Sequence, residues 1–266
     1  MVDREIHNAN RARWEAAAPR WAANADNRGL WQRAPREPEL VLCQTERDHF
    51  GDLQGKRVCV LGSGDNQVVF ALAGLGAEVT AVDIAEAQLD IAAERAKTLG
   101  LTITFHRADV TDLSAIPGDS FDHVYTGGHV AVWVSDLGRH YAEAARILKP
   151  GGSLIVNEYH PFRRIWRGGD AGLVVEMPYT DRGPFRYLSD ADVLRPSSGS
   201  LISYEYHWTI ADMINAVLRS GCQIVEIEEY GSEVSDWEGA PMHGLPEFLL
   251  IISQKHKPTS PMPERA

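Results

Sequence analysis

The residues of this chain best suited to chemistry are a glycine turn, one aspartate and two histidines. Gly62-Ser63-Gly64 follows the apolar run Val58 to Leu61. A glycine turn there lets a ligand approach the backbone, because no Cβ stands in the way. Asp83 closes a second apolar run, Val79 to Val82, about 20 residues past the first glycine, where an α/β nucleotide site keeps a carboxylate that accepts hydrogen bonds from ribose hydroxyls. This stretch is therefore expected to bind the ribose of an adenosine-type cofactor. His129 and His160 each follow a further strand-like segment. An imidazole titrating near pH ~6.5 takes a proton readily at neutral pH. His160 is expected to act as general base, stiffened by Pro161, with His129 orienting the substrate.

These residues need a sheet to bring them together. Val68, Val69, Leu72 and Leu75 recur at helical spacing between the first two strands. Leu89, Ala93, Ala96 and Leu99 do the same before Gly100, and Leu137, Tyr141, Ala144, Ala145 and Leu148 follow later. Strands are expected at Leu101 to His106, Phe121 to Tyr125 and Ser153 to Asn157. Strands alternating with helices imply an α/β fold with a doubly wound, mostly parallel sheet. In such sheets ligands bind outside the carboxyl ends of the strands. Thr209 with Asp212 caps a helix with the stripe Ile210, Met213, Ile214, Val217, Leu218. Gln223 to Glu229 and Pro246 to Ser253 are the last strands. No helix-length segment separates them, so they should be antiparallel neighbours.

The chain divides into an N-terminal helical segment over residues 1–45, a main domain over 46–254 and a flexible tail over 255–266. Within the main domain, residues 161–207 form an insertion near the substrate face. In the first segment Trp14, Ala17, Ala18 and Trp21 share one helical face. They and Trp31 serve either as anchors or as an aromatic lid over the ligands, and the position outside the α/β core favours the lid. Residues 38–50 are expected to form one helix. Arg163, Arg164 and Arg167 offer charge to an acidic substrate or form a solvated face.

Composition narrows the function classes. The 266 residues can bury a sizeable core. A net charge of −11 argues against nucleic acid or an anionic membrane as partner. Three cysteines without close spacing make neither a disulfide framework nor a zinc site and suit a reducing cytoplasm. The expected state is a monomer or homodimer.

The ordered set Val58–Asn66, Asp83, Ala108-Asp109-Val110, Phe121-Asp122 and Arg146-Ile-Leu-Lys-Pro-Gly-Gly152 resembles a class I S-adenosylmethionine-dependent methyltransferase. The likeness is to the small-molecule group called type 11. It implies a seven-stranded Rossmann-like sheet with its last strand antiparallel. It also implies S-adenosyl-L-methionine as cofactor and a small-molecule methyl acceptor. By that resemblance Gly62, Ser63 and Gly64 line the methionine part, Asp83 binds the ribose and Ile84 packs on the adenine. Asp109 and Val110 face the adenine edge, and Thr126 and Gly127 lie under the sulfonium. The family usually has an acidic residue at the position of Val60 and a third glycine at that of Asn66. Their absence is expected to weaken the contact to the cofactor's amino group unless Asp65 or a lid residue replaces it. Competing readings are an NAD-dependent oxidoreductase, disfavoured by Gln67 where a third small residue is needed, and a cofactor-binding protein without turnover.

Overall fold

The apolar runs become strands, and the stripes between them become the helices that cover the sheet. The computed structural model describes residues 2–64, 67–169, 172–189, 201–231, 233, 236–237 and 240–257. In chain order it begins with α1 (Arg4–Arg28), α2 (Leu30–Arg33) and α3 (Gln44–Phe50). Then come β1 (Arg57–Leu61), α4 (Gln67–Gly74), β2 (Glu78–Asp83), α5 (Glu86–Leu99) and β3 (Ile103–Arg107). β4 (Phe121–Gly127), α6 (Leu137–Ile147) and β5 (Leu148–Tyr159) complete the alternating part. The insertion holds two hairpins, β6 (Trp166–Gly169) with β7 (Gly172–Val175), and β8 (Phe185–Ser189) with β9 (Leu201–Glu205). After α7 (Ile210–Arg219) come β10 (Cys222–Tyr230), the small ladder β11 (Asp236–Trp237) and β12 (Ala240–Pro241), and β13 (Phe248–Lys255).

Seven strands form one sheet in the order β10-β13-β5-β4-β1-β2-β3. β5, β4, β1, β2 and β3 run parallel, and β13 is antiparallel to both its neighbours, β10 and β5. Burial on both faces explains the unbroken apolar runs. Cys59 and Leu61 of β1, Leu154 and Val156 of β5 and Leu249 and Ile251 of β13 face α6 and α7, with Tyr141, Ile147, Met213 and Val217. Val58, Val60, Ile155, Leu250 and Ile252 face the other way, onto Phe50, Leu53, Val69 and Leu72. Adjacent residues thus serve opposite cores, as the period of two requires.

Several elements depart from the sequence reading. The helix expected over 38–50 is a 3-10 turn at Pro38–Leu40 followed by α3, which starts where Glu46 accepts the Cys43 N–H at 2.7 Å. α1 runs unbroken through Pro19, which gives up a single N–H bond. The strand expected over Ser153 to Asn157 is longer, since β5 begins at Leu148, before the Lys-Pro-Gly-Gly turn, and runs to Tyr159. Most of the tail, residues 258–266, lies outside the described residues, as do Asp65 and Asn66. No described helix is long and apolar enough to cross a membrane.

The motif around Arg146 proves to be structural. Arg146 donates to the carbonyls of Ile116 and Leu113, and Lys149 pairs with Asp122 at 2.9 Å. A Cβ on Gly152 would stand 2.8 Å from the Asp122 carbonyl oxygen. These contacts fix how β5 enters the sheet beside β4.

Candidate active site

The carboxyl ends of β1, β2 and β4 open on a cavity of about 590 Å³, within the range of small-molecule sites. Gly62, Ser63, Gly64, Asp83, Ile84, Asp109 and Val110 line one half of it. A Cβ on Gly62 would stand 2.6 Å from the Val130 methyls, so a side chain there would push apart the turn and the loop after β4. Gly64 has φ +47 and donates its N–H to Asp83 Oδ2 at 2.8 Å, while Ala85 N–H donates to Oδ1 at 2.8 Å. The Ile84 N–H bonds the same carboxylate, which still has room for a further donor. Burial pushes the Asp83 carboxyl up to about 6, against the pull of these N–H groups. Ser63 Oγ and Gln88 Oε1 are buried in the same wall with no hydrogen-bond partner among the described residues. Buried polar atoms rarely stay so. The carboxylate with free lone pairs, the bare glycine backbone and these two atoms fit the nucleoside and its adjoining chain in S-adenosylmethionine.

α1 roofs the cavity. His7, Asn10, Trp14, Trp21, Asn24 and Arg28 recur at helical spacings of three, four or seven residues and all line it. The helix is tied down along its length by polar bonds. Ser135 N–H donates to His7 Nε2 at 2.9 Å, so Nδ1 carries the ring proton and donates it to Asp109 Oδ2 at 2.6 Å. Asn10 exchanges two hydrogen bonds with the Tyr204 backbone in β9. Glu15 accepts the Glu86 and Ala87 N–H groups at the start of α5, where a carboxylate suits the helix dipole. Ala17 and Ala18 are fully buried, whereas Trp31 packs on Phe70 and does not reach the cavity.

His129, Trp133, Tyr159, Arg164 and Glu205 complete the opposite half, with Arg13. The loop after β4 is held by one buried carboxylate. Glu158 accepts the N–H groups of His129, Val130 and Ala131 at 3.0 to 3.1 Å. Burial pushes Glu158 up to about 7 despite those donors. His129 takes φ +89, uncommon for a residue with a Cβ. Its ring lies edge-on to Trp133 and Tyr159, with centroids 5.9 and 5.2 Å away. Burial lowers the His129 imidazole to about 3, aided by Arg164 and opposed by Glu205. Glu205 pairs with Arg164 and lies 3.7 Å from His207 Nε2.

Three expected site residues lie elsewhere. His160 is buried and absent from the cavity wall; its Nε2 meets Glu229 at 2.6 Å and its ring packs on Phe162. Its backbone N–H donates to Glu247, which draws it toward β10 and β13 and away from His129. Thr126 turns to the α6 face, where Oγ1 meets His140 Nε2 at 3.3 Å. Gly127 is pressed on the next strand, with the Asn157 carbonyl 2.2 Å from where a Cβ would be. β4 runs on through Gly127, so the cavity is lined by Gly128 and His129 instead. Of the three arginines, Arg164 lines the cavity, Arg163 is buried outside it and Arg167 is exposed. The sequence reading missed Glu158, Glu205, Arg13 and His7. Only His7 had a visible signal, the polar residues repeating along α1.

Residues 60–156 match the family described as Methyltransferase domain. The ubiquinone biosynthesis O-methyltransferase of Alkalilimnicola ehrlichii is 28% identical over 153 residues, 57% of this chain and 60% of that protein. The uncharacterized methyltransferase YbaJ of Bacillus subtilis is 30% identical over 159 residues, 60% of each. The chain thus spans about three fifths of the length of these curated relatives. An S-adenosylmethionine-dependent methyltransferase from Mesorhizobium loti superposes with TM-score 0.59 at 24% identity, covering 79% of this chain and 95% of that one. A putative S-adenosylmethionine-dependent methyltransferase from Listeria monocytogenes gives 0.59 at 21%, covering 87% and 100%.

Proposed function

We propose, from the match of residues 60–156 to the family described as Methyltransferase domain, that the protein transfers a methyl group from S-adenosylmethionine to a small-molecule acceptor lying against His129. One observation carries this reading. A single cavity joins Gly62, Gly64, Asp83 and Asp109 to His129, Tyr159, Arg164 and Glu205.

The cofactor, when bound, supplies an electrophilic methyl group on a sulfonium. Asp83 would accept the ribose hydroxyls on its remaining lone pairs, and Ile84 and Val110 would pack on the adenine. Asp109 has less to give, because His7 and Thr111 already donate to it. Most of the acceleration would come from holding the acceptor in line, as positioning of reacting groups supplies large factors. Trp14, Trp21 and Trp133 wall off water. Glu158 sets the loop that carries His129.

At neutral pH the His129 ring is unprotonated, given its lowered titration. It can therefore accept a hydrogen bond from an acceptor hydroxyl and take the proton as the methyl arrives. Burial disfavours the imidazolium, and Glu205 beside it offsets part of that cost. Transfer of the proton would thus be late, once the new bond has made the hydroxyl oxygen positively charged and its proton strongly acidic. His160 has no part in this scheme, since it does not face the cavity.

Incubation of the purified protein with methyl-labelled cofactor and a metabolite extract tests the proposal. A labelled product that needs His129 is expected. Binding of S-adenosylhomocysteine without any labelled product would instead indicate a cofactor-binding protein without turnover.

A further inference from the structure

Successive turns of α1 hold opposite halves of the cavity. His7 and Glu15 bind the wall around Asp83 and Asp109, His7 at Asp109 itself and Glu15 at the Glu86 and Ala87 N–H groups that open α5. Asn10, between them, reaches the other half. It is buried, and its amide is fully engaged. Oδ1 accepts the Tyr204 N–H at 2.7 Å, and Nδ2 donates to the Tyr204 carbonyl at 2.9 Å and to the Trp133 carbonyl at 3.3 Å. Exchanging two bonds with the N–H and C=O of one residue is what a neighbouring strand does. Among the described residues β9 has only β8 beside it, and a two-stranded hairpin alone is marginal in water. The Asn10 amide supplies part of the missing neighbour. Tyr204, which it grips, directly precedes Glu205, which lines the cavity and pairs with Arg164. Beyond Glu205 the chain is fastened without α1. Tyr206 donates its N–H to the Val132 carbonyl at 2.7 Å, and Trp208 Nε1 donates to that of Ala131 at 3.0 Å. Glu205 thus sits between an end fixed to the loop after β4 and an end that depends on where α1 lies.

A cofactor in the half around Asp83 lies against α1 and favours its docked position, because a ligand shifts a protein toward the state it binds better. We propose that Asn10 is a positioning residue that passes this docking on to β9, so that occupancy of the cofactor half orders Glu205 beside Arg164 and His129. This rests on the methyltransferase reading and adds to it the residue through which one half of the site responds to the other.

Hydrogen exchange of the full chain, followed by mass spectrometry with and without saturating S-adenosylhomocysteine, tests this. None of residues 201–204 lines the cavity, so their amides report coupling rather than contact. In the wild type the ligand should slow their exchange by about tenfold, an ordinary size for coupling between two sites. Two variants break the link. Asn10→Ala removes the whole amide, and Asn10→Asp keeps the acceptor while losing both donors. Each should still bind S-adenosylhomocysteine by calorimetry, within about tenfold of wild type because coupling is reciprocal. In each, the ligand should slow exchange at 201–204 by no more than about twofold. No slowing in the wild type would overturn the proposal. So would slowing that persists in the variants, which would assign the coupling to the loop after β4. Variants that fail to fold by circular dichroism, or that fold and no longer bind S-adenosylhomocysteine, would also overturn it, by making Asn10 part of the fold or of the cofactor site alone. Failure of the wild type to bind S-adenosylhomocysteine would overturn the underlying reading instead, so the two failures are separable.

Discussion

In the half of the cavity proposed for the cofactor, Gly62, Gly64, Asp83 and Asp109 follow the ends of β1, β2 and β3, and backbone N–H groups do much of the holding. The half proposed for the acceptor draws Arg13 from α1, His129 from the loop after β4, Tyr159 from the end of β5, Arg164 from beyond it, and Glu205 from the end of β9. The first half is a property of the sheet itself. The second exists only when an added helix, a loop and a hairpin meet. The difference teaches that one fold can keep its cofactor chemistry constant and change its acceptor by exchanging the added parts. Glu158 and His7 join the halves, one by clasping the loop and the other by tying α1 to Asp109.

The largest break should come from the acceptor half alone. His129→Asn replaces the imidazole with a residue that tolerates the left-handed backbone. It should cut turnover by about 10²–10⁴-fold while leaving S-adenosylhomocysteine affinity near that of wild type. Steady-state kinetics and calorimetry check the two parts separately.

Disturbing the clasp should reach across to the cofactor half. Glu158→Gln leaves backbone donors facing an amide and should weaken S-adenosylhomocysteine binding by about 1–3 kcal/mol. Acidity should act in the same direction. The Glu158 carboxyl, raised to about 7, is charged above that pH and protonated below it. Wild-type affinity should therefore fall between pH ~8 and ~6, and the variant should keep only the lower part of the decline, near the value of about 6 for Asp83. Stability runs the other way. A carboxyl raised above its unfolded value favours the native state below that value and loses this contribution as pH rises through about 7. Titrations and melting curves over that range of pH measure the opposed trends.

The smallest functional effect is expected at His160. His160→Ala should leave turnover within a few-fold of wild type and cost roughly 1–3 kcal/mol of stability through its lost bond to Glu229. A large loss of turnover with stability intact would return it to the mechanism.

What could be read in the sequence follows the same division. The strand order, the antiparallel end of the sheet and the lining by Gly62, Asp83 and Ile84 depend on local runs and short spacings. Thr126 and Gly127 stay within β4 because the strand continues past its apolar run, and the strand's end sets which residues line the cavity. For His160, proximity to a strand's end does not say which neighbour the side chain meets, and here that is Glu229. Glu205 gave no signal, since β9 reaches the site through contacts distant in sequence, such as those of Asn10 with Tyr204 and Arg164 with Glu205. In α1 only the short face of Trp14, Ala17, Ala18 and Trp21 is legible as an apolar pattern; His7, Asn10 and Asn24, which extend the lining of the cavity on either side, are legible only to a search for polar periodicity.

The most direct measurement is a calorimetric titration of S-adenosylhomocysteine into the wild-type protein and into Asp83→Ala. One molecule should bind per wild-type chain, and the substitution should weaken binding by about 1.5–3 kcal/mol through lost hydrogen bonds to the ribose. No binding by the wild type, or equal affinity in both proteins, would contradict the assignment of this cavity to S-adenosylmethionine.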